Sequence, residues 1–177
     1  GAGATVYFGV FDQLVLGEKP LFAFTSRSRR PPQDPINALL SFAYSLLAHD
    51  CASALESVGL DAYVGFLHRD RPGRTSLALD LMEELRPCMA DRFVLTLINN
   101  RVVSKQDFDF RENGAVFLND TGRRTFLKHW QERKRDTLTH PYLQEKVPWG
   151  LVPYVQALLL ARHLRGDLDG YPPFLWK

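Results

Sequence analysis

The sequence predicts a mainly α protein, namely a single helical bundle domain with at most one small β-hairpin. Apolar residues recur three to four positions apart over most of the 177 residues, which is typical of amphipathic helices. Only residues 107–118 alternate weakly between apolar and polar, and they do so around Asn113-Gly114, a typical hairpin turn. Because no internal repeat is visible, residues 1–177 should form one domain.

Two helices are predicted in the first third of the chain. Residues 4–16 have an amphipathic pattern. Asp34 can cap a helix and Pro35 suits a first helical turn, so the apolar positions that follow predict a long helix over residues 35–58. Gly59 should end this helix, because glycine readily adopts the conformation that closes one.

The next predicted helix, residues 77–86, separates apolar from acidic side chains. One face is apolar, and Asp80, Glu83 and Glu84 share the opposite face. Pro87 should end the helix, because a proline disfavours the α conformation of the residue before it. Further helices are expected over residues 91–103, 122–134 and 151–164, followed by an extended tail over residues 171–177.

The composition excludes several classes of protein. Hydrophobic residues make up 45% and charged residues 24% of the chain, which indicates a soluble globular protein rather than a disordered one. We find no apolar stretch near the roughly 18 residues that a membrane span needs, and no signal peptide. Cys51 and Cys88 lack the spacing of a zinc site, which indicates reduced thiols of a cytoplasmic protein.

Basic residues are concentrated between residues 121 and 135. Six of them accompany Glu132 alone, a local charge of +5 that leaves −3 for the rest of a chain with net charge +2. These residues are Arg123, Arg124, Lys128, Arg133, Lys134 and Arg135. They could form a solvated helix face or a track for DNA phosphates, and the sequence leaves both interpretations open.

His68, Asp80 and Glu83 form the candidate catalytic site. An imidazole and one or two carboxylates can share a divalent ion; Mg²⁺ and Mn²⁺ both prefer carboxylate oxygens, and Mn²⁺ tolerates an imidazole better. A hydrogen-bonded loop histidine beside a solvated acidic helix face would give the same spacing. The spacing alone therefore does not establish a metal site.

An arginine-rich loop follows His68 directly. Arg69, Arg71 and Arg74 surround Pro72-Gly73, and guanidinium groups pair with phosphate oxygens in a bidentate manner. A metal ion, carboxylates and arginines together indicate phosphodiester chemistry, in which the ion activates a nucleophile and stabilises the leaving oxygen. Iron-dependent oxygenation would need a second histidine at the site and is not indicated.

Three segments of the chain resemble the CRISPR-associated spacer-acquisition endonucleases. They read NALLSFAYSLL, GLDAYVGFLHRDRPGRTSLALDLMEELRP and HPYLQEKVPWGLVPYVQALLLARHLRGDLDGYPPFLWK, so the resemblance covers nearly the whole chain. The ending RGDLDGYPPFLW is most similar to the branch that accompanies the Dvulg (I-C) interference systems. Family members have an N-terminal β domain and a larger helical, catalytic C-terminal domain. This chain resembles the helical domain only.

The resemblance implies a set of metal ligands. His68 is the histidine of the GFLH motif, and Glu83 is the acidic residue that ends the DLxE motif; both are implied ligands of Mg²⁺ or Mn²⁺. Asp80 is the implied acidic neighbour, and Arg86 is the implied phosphate or structural partner. The third ligand of the family is a glutamate that would fall one residue before Gly1, so we expect this chain alone to be inactive.

The resemblance also implies an activity in antiviral defence. The 3′ hydroxyl of an incoming DNA segment attacks a phosphodiester at the repeat boundary of a CRISPR array, and this transesterification inserts a new spacer. The implied partners are double-stranded DNA, a second copy of the protein in a homodimer, the small second CRISPR adaptation protein and, in some branches, a nuclease that trims the DNA. No membrane partner is implied.

Several other residues take implied roles. Tyr44 and Asn37 match the NxLLxxxY helix of the family, where Tyr44 either faces the site or packs between helices. The candidate DNA-binding residues are Arg69, Arg71, Arg74, Arg86, Arg123 and Arg124. The main alternative is that the chain is a non-catalytic helical module that binds DNA or a protein partner.

Overall fold

The computed structural model describes residues 2–69 and 71–176 and confirms the mainly α class. The α-helices are α1 (Ala2–Phe11), α2 (Pro35–Ser57), α3 (Ser76–Leu85), α4 (Arg92–Asn99), α5 (Asp120–Arg135) and α6 (Val152–Leu164). Gly1 and Lys177 lie outside the described residues. The resemblance to the glutamate motif starts at Gly1, and Lys177 is the last residue of the predicted tail.

Small antiparallel hairpins accompany the helices. Strands β1 (Phe108–Phe110) and β2 (Val116–Leu118) pair as predicted, and Gly114 in their turn has a φ of 80°, which favours glycine. The structure adds a second hairpin, β3 (Thr137–Thr139) with β4 (Lys146–Pro148), to the single one that we expected. The segment between β3 and β4 contains no Asn-Gly turn of the kind that indicated the first hairpin, so the sequence did not mark this second pair.

Helix α2 begins at Pro35 as predicted, ends at Ser57, one residue before the expected end, and has 23 residues. The Asn37 amide donates to the capping carboxylate of Asp34 at 2.8 Å, and Gly59 follows the helix with a φ of 81°. Contrary to our expectation, α2 is long and apolar enough by length and composition to cross a membrane. A core helix passes the same test, and the complete burial of Leu47 and Cys51 identifies α2 as a core helix.

Pro87 does not end the helical path, and this corrects the sequence prediction. Arg86 keeps an α conformation, with φ −54° and ψ −50°. A π-helical turn, Arg86–Asp91, then leads directly into α4. Proline lacks the amide hydrogen that an α-helix needs, and a wider turn can accommodate its ring. Helix α4 ends at Asn99, four residues before the expected end.

The described residues form two compact units. The first unit contains the described residues up to Ala43 together with Asp91–Trp130. The second unit contains Tyr44–Ala90 together with the described residues from Gln131 onward. Helix α3, with the candidate site, belongs to the second unit.

Each unit has an apolar core of its own. In the first unit, the Phe93 ring packs edge-to-face against Phe126 and Trp130, with ring centroids 5.2 and 5.1 Å apart. In the second unit, α3 contacts α6, and Leu81 and Leu85 are buried on the apolar face of α3 that the sequence predicts. Burial of this face leaves the acidic side chains of α3 for the site.

Candidate metal and nucleic-acid site

The candidate site is built on α3 and on the described loop residues that precede it, 61–69 and 71–75. The Leu77 amide donates to the Ala62 carbonyl oxygen at 2.9 Å and fastens the loop to the start of the helix. Gly65 makes the close approach possible, because a Cβ there would lie 2.7 Å from Ser76 Cβ. The loop therefore follows the helix at a distance that only glycine permits.

Asp80 organises the part of the loop that carries His68. Its Oδ2 accepts hydrogen bonds from the amides of Phe66 and Leu67 at 2.6 and 2.9 Å, and its Oδ1 accepts one from the His68 amide at 3.0 Å. The same Oδ1 lies 2.5 Å from His68 Nδ1. Burial alone would raise the pKa of Asp80, but hydrogen bonds from Leu67, the His68 ring and Phe66 outweigh it and lower the pKa below its ordinary value. Both oxygens of this ionised carboxylate are thus committed to the loop.

The contact with Asp80 determines which nitrogen of His68 is available. An ionised carboxylate can only accept a hydrogen bond, so His68 Nδ1 carries the hydrogen and donates it. Nε2 of the neutral ring then keeps a free lone pair, which is the form in which histidine binds a metal ion. The His68 side chain is 26% exposed, so part of the side chain is accessible to solvent.

Glu83 places a carboxylate close to this nitrogen. Glu83 Oε1 lies 3.9 Å from His68 Nε2. Two atoms that each lie about 2.1 Å from one Mg²⁺ ion are at most about 4.2 Å apart, so this pair could share an ion without movement of the backbone. The geometry is compatible with His68 and Glu83 as ligands, and the assignment stays a prediction.

No third ligand joins this pair in the described part of the chain. Within residues 2–69 and 71–176, no group of three or more His, Cys, Asp or Glu side chains is arranged to hold a metal ion. Asp80 does not complete the pair, because the loop amides and the His68 ring use both of its oxygens. Asp80 contacts Nδ1 of the His68 ring and orients the ring, whereas Glu83 Oε1 lies 3.9 Å from Nε2.

Arg86 connects Glu83 to α2. Its Nη2 donates to Glu83 Oε1 at 2.6 Å, and its guanidinium carbon lies 4.7 Å from the centroid of the Tyr44 ring. Arg86 thus holds Glu83 in place, and Tyr44 supports Arg86 through a cation–π contact. This arrangement gives Tyr44 an indirect role at the site. A phosphate contact by Arg86 stays a prediction.

The arginines that follow His68 have no acidic partner in the described residues. Arg69 and Arg71 are exposed and Arg74 is partly exposed. Among residues 2–69 and 71–176, none of these arginines forms an ion pair. Exposed guanidinium groups beside the candidate ligands are suited to bind phosphate.

The basic residues of α5 divide into two sets. Arg123 forms a long ion pair of 3.8 Å with Asp120, and Arg124 is exposed. Arg133 lies 4.9 Å from a tryptophan ring, and Lys134 forms an ion pair of 2.9 Å. The second pair contributes to packing in the second unit, so only part of the basic cluster is available to bind DNA.

Asn37 has a structural role in the first unit. Its side chain is fully buried. Its Oδ1 accepts hydrogen bonds from Arg27 Nη1 at 2.6 Å and from the Ser28 amide at 3.0 Å, and its Nδ2 donates to the Ser26 carbonyl at 2.8 Å. Asn37 therefore fixes the loop that precedes α2.

The sequence did not reveal the role of Glu84. Its carboxylate contacts the C-terminal segment: Oε2 accepts from the Phe174 amide at 2.8 Å, and Oε1 accepts from the Tyr171 hydroxyl and, at 3.3 Å, from Gln156 Nε2. Burial, followed by the charge of Glu84, raises the pKa of Tyr171. Because these partners are far apart in the sequence, no local pattern marks the contact.

The amino-acid sequence is similar to those of CRISPR-associated proteins. The family model described as CRISPR associated protein Cas1 matches residues 1–132. The CRISPR-associated endonuclease Cas1 2 of Rhodospirillum rubrum is 63% identical over 177 residues, which are 100% of this chain and 52% of that protein. A CRISPR-associated exonuclease Cas4/endonuclease Cas1 fusion of Geobacter sulfurreducens is 44% identical over 180 residues, with 100% of this chain and 32% of the fusion covered. The chain spans about half the length of the first curated relatives.

Solved structures show the same fold. A casposase bound to an integration product matches with a TM-score of 0.84 and 31% identity, over 94% of this chain and 46% of the casposase. A Cas1 protein from Thermotoga maritima matches with a TM-score of 0.82 and 34% identity, over 94% and 50% of the two chains. A chain of a partial Cas6-RT-Cas1–Cas2 complex matches with a TM-score of 0.79 and 27% identity, over 100% and 51%. Since the family model covers about three quarters of the sequence, the chain belongs to the CRISPR-associated protein Cas1 family.

Proposed function

We propose that this chain carries the site of a metal-dependent DNA endonuclease and integrase of CRISPR adaptation, which inserts new spacers by transesterification. The observation that carries the proposal is the 3.9 Å separation of His68 Nε2 and Glu83 Oε1, with Asp80 holding the histidine in the tautomer that binds metal. The names of the relatives agree with this function: they are endonucleases, and the casposase is bound to an integration product.

His68 and Glu83 are the proposed ligands of a Mg²⁺ or Mn²⁺ ion. One imidazole nitrogen and one carboxylate oxygen suit Mn²⁺ and also accept Mg²⁺. When bound, such an ion supplies positive charge that stabilises the phosphoryl oxygens of a phosphodiester. Asp80 orients His68 and Arg86 orients Glu83, so both ligands are positioned before substrate arrives.

Arginines are the proposed DNA contacts. Arg69, Arg71 and Arg74 follow His68 and would bind phosphates close to the reacting phosphodiester. Arg123 and Arg124 of α5 would bind phosphates elsewhere on the DNA. Such contacts position the DNA without reading its sequence, and they make the affinity depend on salt.

A glutamate directly before Gly1 would be the third proposed ligand. When Tyr7-Phe8 is aligned with the family motif, the glutamate falls one residue before Gly1. We propose that a version of the chain with a glutamate at this position binds Mn²⁺ more tightly than the 177-residue sequence does.

The partners that we propose are based on the assemblies and fusions in which similar proteins occur. One similar chain belongs to a complex that contains Cas2, and one relative is a Cas4/Cas1 fusion. We propose that this protein binds double-stranded DNA and a small second adaptation protein similar to Cas2, and that it forms a homodimer in the cytoplasm. A DNA-trimming nuclease is a further proposed partner.

Mn²⁺-dependent cleavage of branched and linear DNA by the full protein tests the proposed function. Cleavage should fall about 100-fold or more in His68→Ala and Glu83→Gln, since each change removes a proposed ligand. His49→Ala and Glu56→Gln are matched controls, because both residues are exposed on α2, and these variants should cleave like the unaltered protein.

Two other outcomes would decide against the proposal. Cleavage that survives both His68→Ala and Glu83→Gln would refute the ligand assignment. Salt-dependent DNA binding without cleavage, even by the protein with a glutamate before Gly1, would favour the alternative of a non-catalytic DNA-binding module.

A further inference from the structure

The first unit contains a cavity between the loop that follows α1 and the C-terminal end of α4. Its volume of about 440 Å³ is within the range of about 300 to 1,000 Å³ that is typical of small-molecule sites. The residues that line it all belong to the first unit, whereas His68 and Glu83 belong to the second. The proposed metal chemistry therefore gives this cavity no role.

Hydrogen bonds and close packing hold the walls of this cavity together. The Leu16 amide donates to Asn99 Oδ1 at 2.8 Å, and Asn99 Nδ2 donates to the Leu14 carbonyl oxygen at 3.0 Å. At Gly17, which lines the cavity, a Cβ would lie only 2.8 Å from the Ile98 carbonyl oxygen. Because the loop is already fixed to α4, a ligand would not have to order it on binding.

Buried apolar side chains form the floor of the cavity. Phe22, Ile98 and Val103 line it, and each of them is at most 3% exposed. The Phe22 ring packs edge-to-face against Phe108, with ring centroids 6.2 Å apart, which holds the ring in place. A fixed apolar floor of this kind suits the flat face of an aromatic ring in a ligand.

Arg101, which also lines the cavity, has an unfavourable backbone conformation. Helix α4 ends in a Schellman motif, in which the Val102 amide donates to the Leu97 carbonyl oxygen at 2.9 Å and the Arg101 amide to that of Ile98 at 3.0 Å. Arg101 has a φ of 56° at the position that glycine usually takes in this motif. Strained residues of this kind cluster at ligand-binding sites, so we examined what the exposed Arg101 side chain offers to a ligand.

Glu18 and Arg101 add opposite charges to the lining of the cavity. Over residues 2–69 and 71–176, neither side chain forms an ion pair, with each other or with any other residue. A guanidinium group binds phosphate through two parallel hydrogen bonds, and a carboxylate accepts hydrogen bonds from two adjacent donors. The cavity thus combines a group for an anion, a group for a pair of donors and an apolar floor.

We propose that this cavity binds a guanine nucleotide. The phosphate would lie at Arg101, the base on the apolar floor, and the base N1–H and 2-amino groups would donate to Glu18. Guanine is suited to this carboxylate because it presents two adjacent donors on one edge, whereas thymine presents only one. A free mononucleotide and the phosphorylated end of a DNA strand offer the same chemistry, and the experiment distinguishes these two sources.

Titration of the full protein with deoxyguanosine monophosphate, followed by isothermal calorimetry, tests the site. The buffer contains EDTA, so that divalent ions and the candidate metal site do not contribute. The protein should bind this nucleotide about tenfold more tightly than thymidine monophosphate and about tenfold more tightly than deoxyguanosine, which lacks the phosphate. A dissociation constant above about 1 mM for deoxyguanosine monophosphate would overturn the proposal.

Arg101→Gly tests the phosphate contact without disturbing the backbone. Glycine readily adopts the positive φ of this position, so the variant should unfold at about the same temperature as the unaltered protein or higher. Its affinity for deoxyguanosine monophosphate should fall about tenfold, while its affinity for deoxyguanosine stays the same. Gln144→Gly is a matched control, because Gln144 also has a positive φ, 57°, but belongs to the second unit, and this variant should bind the nucleotide normally. Unchanged nucleotide affinity in Arg101→Gly would refute the contact.

Glu18→Gln tests the contact with the base. An amide has only one acceptor oxygen, so this variant should lose the preference for guanine over thymine, and a preference that persists would refute the proposal. An oligonucleotide with a 5′-phosphorylated guanosine end should displace the mononucleotide if the ligand is a strand end, and should leave it bound if the ligand is a free nucleotide. Either result supports the site and identifies its ligand.

The site does not depend on the proposed metal chemistry. His68→Ala, which removes a proposed metal ligand of the second unit, should bind deoxyguanosine monophosphate like the unaltered protein. A loss of nucleotide binding in His68→Ala would overturn the assignment to the cavity of the first unit. Failure of the proposed function would instead appear as DNA cleavage that continues in His68→Ala and Glu83→Gln.

Discussion

Asp80 Oδ1 lies 2.5 Å from His68 Nδ1 and 3.0 Å from the His68 amide nitrogen, so one carboxylate oxygen contacts both the ring and the backbone of the same residue. This double contact orients the ring and selects its tautomer. The availability of Nε2 for a metal ion consequently depends on Asp80, which is not itself a proposed ligand.

The first prediction concerns Asp80→Asn. An amide has only one acceptor oxygen, and its NH₂ group would face an amide or ring hydrogen in either orientation. We therefore expect Mn²⁺ affinity to fall about 10- to 100-fold, together with faster hydrogen exchange at Phe66 and Leu67. Titration with Mn²⁺ followed by electron paramagnetic resonance measures the affinity. An unchanged affinity would show that Asp80 does not orient His68.

The second prediction separates two neighbouring glutamates of α3. Glu84→Gln should lower the free energy of unfolding by about 1 to 3 kcal/mol, because the carboxylate accepts hydrogen bonds from Tyr171 and Phe174. Glu83→Gln should change stability much less, because the Glu83 side chain is 41% exposed. Urea unfolding of both variants measures the difference, and equal effects would contradict this division of roles.

The two glutamates also illustrate what the sequence could predict. Helix α2 was predictable because Asp34 and Gly59 act on their immediate neighbours. The acidic face of α3 was predictable for the same reason, and the family motif distinguished Glu83 from Asp80. The role of Glu84 was not predictable, since its partners Tyr171 and Phe174 are separated from it by 87 and 90 positions in the sequence. Long-range contacts of this kind leave no periodicity in the sequence.

The third prediction is a pH dependence of stability that originates at His140. His140 is fully buried; its Nδ1 accepts from the Leu143 amide at 3.2 Å, and its Nε2 donates to Gln156 Oε1 at 2.9 Å. Burial lowers the pKa of His140, outweighing the opposite effects of Gln156 and of the Glu84 charge. Between this lowered pKa and the ordinary value near 6.5, only the unfolded chain binds the proton, so stability should fall as the pH falls through that window.

Urea unfolding of the unaltered protein and of His140→Gln between about pH 5 and pH 8 isolates this effect. The variant should be less stable at pH 8, and the difference between the two proteins should shrink as the pH is lowered, because only the protein with His140 loses stability through this group. A difference that is the same at every pH would show that His140 does not contribute to the pH dependence.

The fourth prediction concerns the basic residues of α5. If Arg123 and Arg124 bind phosphate, their joint replacement by Ala should make the slope of log affinity against log salt concentration shallower by about 2. Arg165→Ala is a suitable control, because Arg165 is an exposed arginine paired with Asp167 at 3.1 Å. Duplex binding measured at several salt concentrations gives the slopes. The same slope in all proteins would identify the cluster as a solvated helix face.

The fifth prediction concerns Gly65→Ala. The added Cβ would lie 2.7 Å from Ser76 Cβ and 2.8 Å from the His68 carbonyl oxygen, so the loop must move away from α3. Such a movement lengthens the hydrogen bonds that Asp80 accepts, and we expect both lower stability, by about 1 to 3 kcal/mol, and weaker Mn²⁺ binding.

Gly170→Ala provides the control for this change, because a Cβ at Gly170 would meet nothing within 4 Å. Thermal unfolding and Mn²⁺ titration of the two variants should therefore separate a general effect of losing glycine from the specific effect on the loop. If Gly65→Ala lowered stability but left Mn²⁺ affinity unchanged, the close approach of the loop would support the fold without positioning His68. If it lowered both, the packing of Gly65 against α3 would be part of what positions the metal ligand.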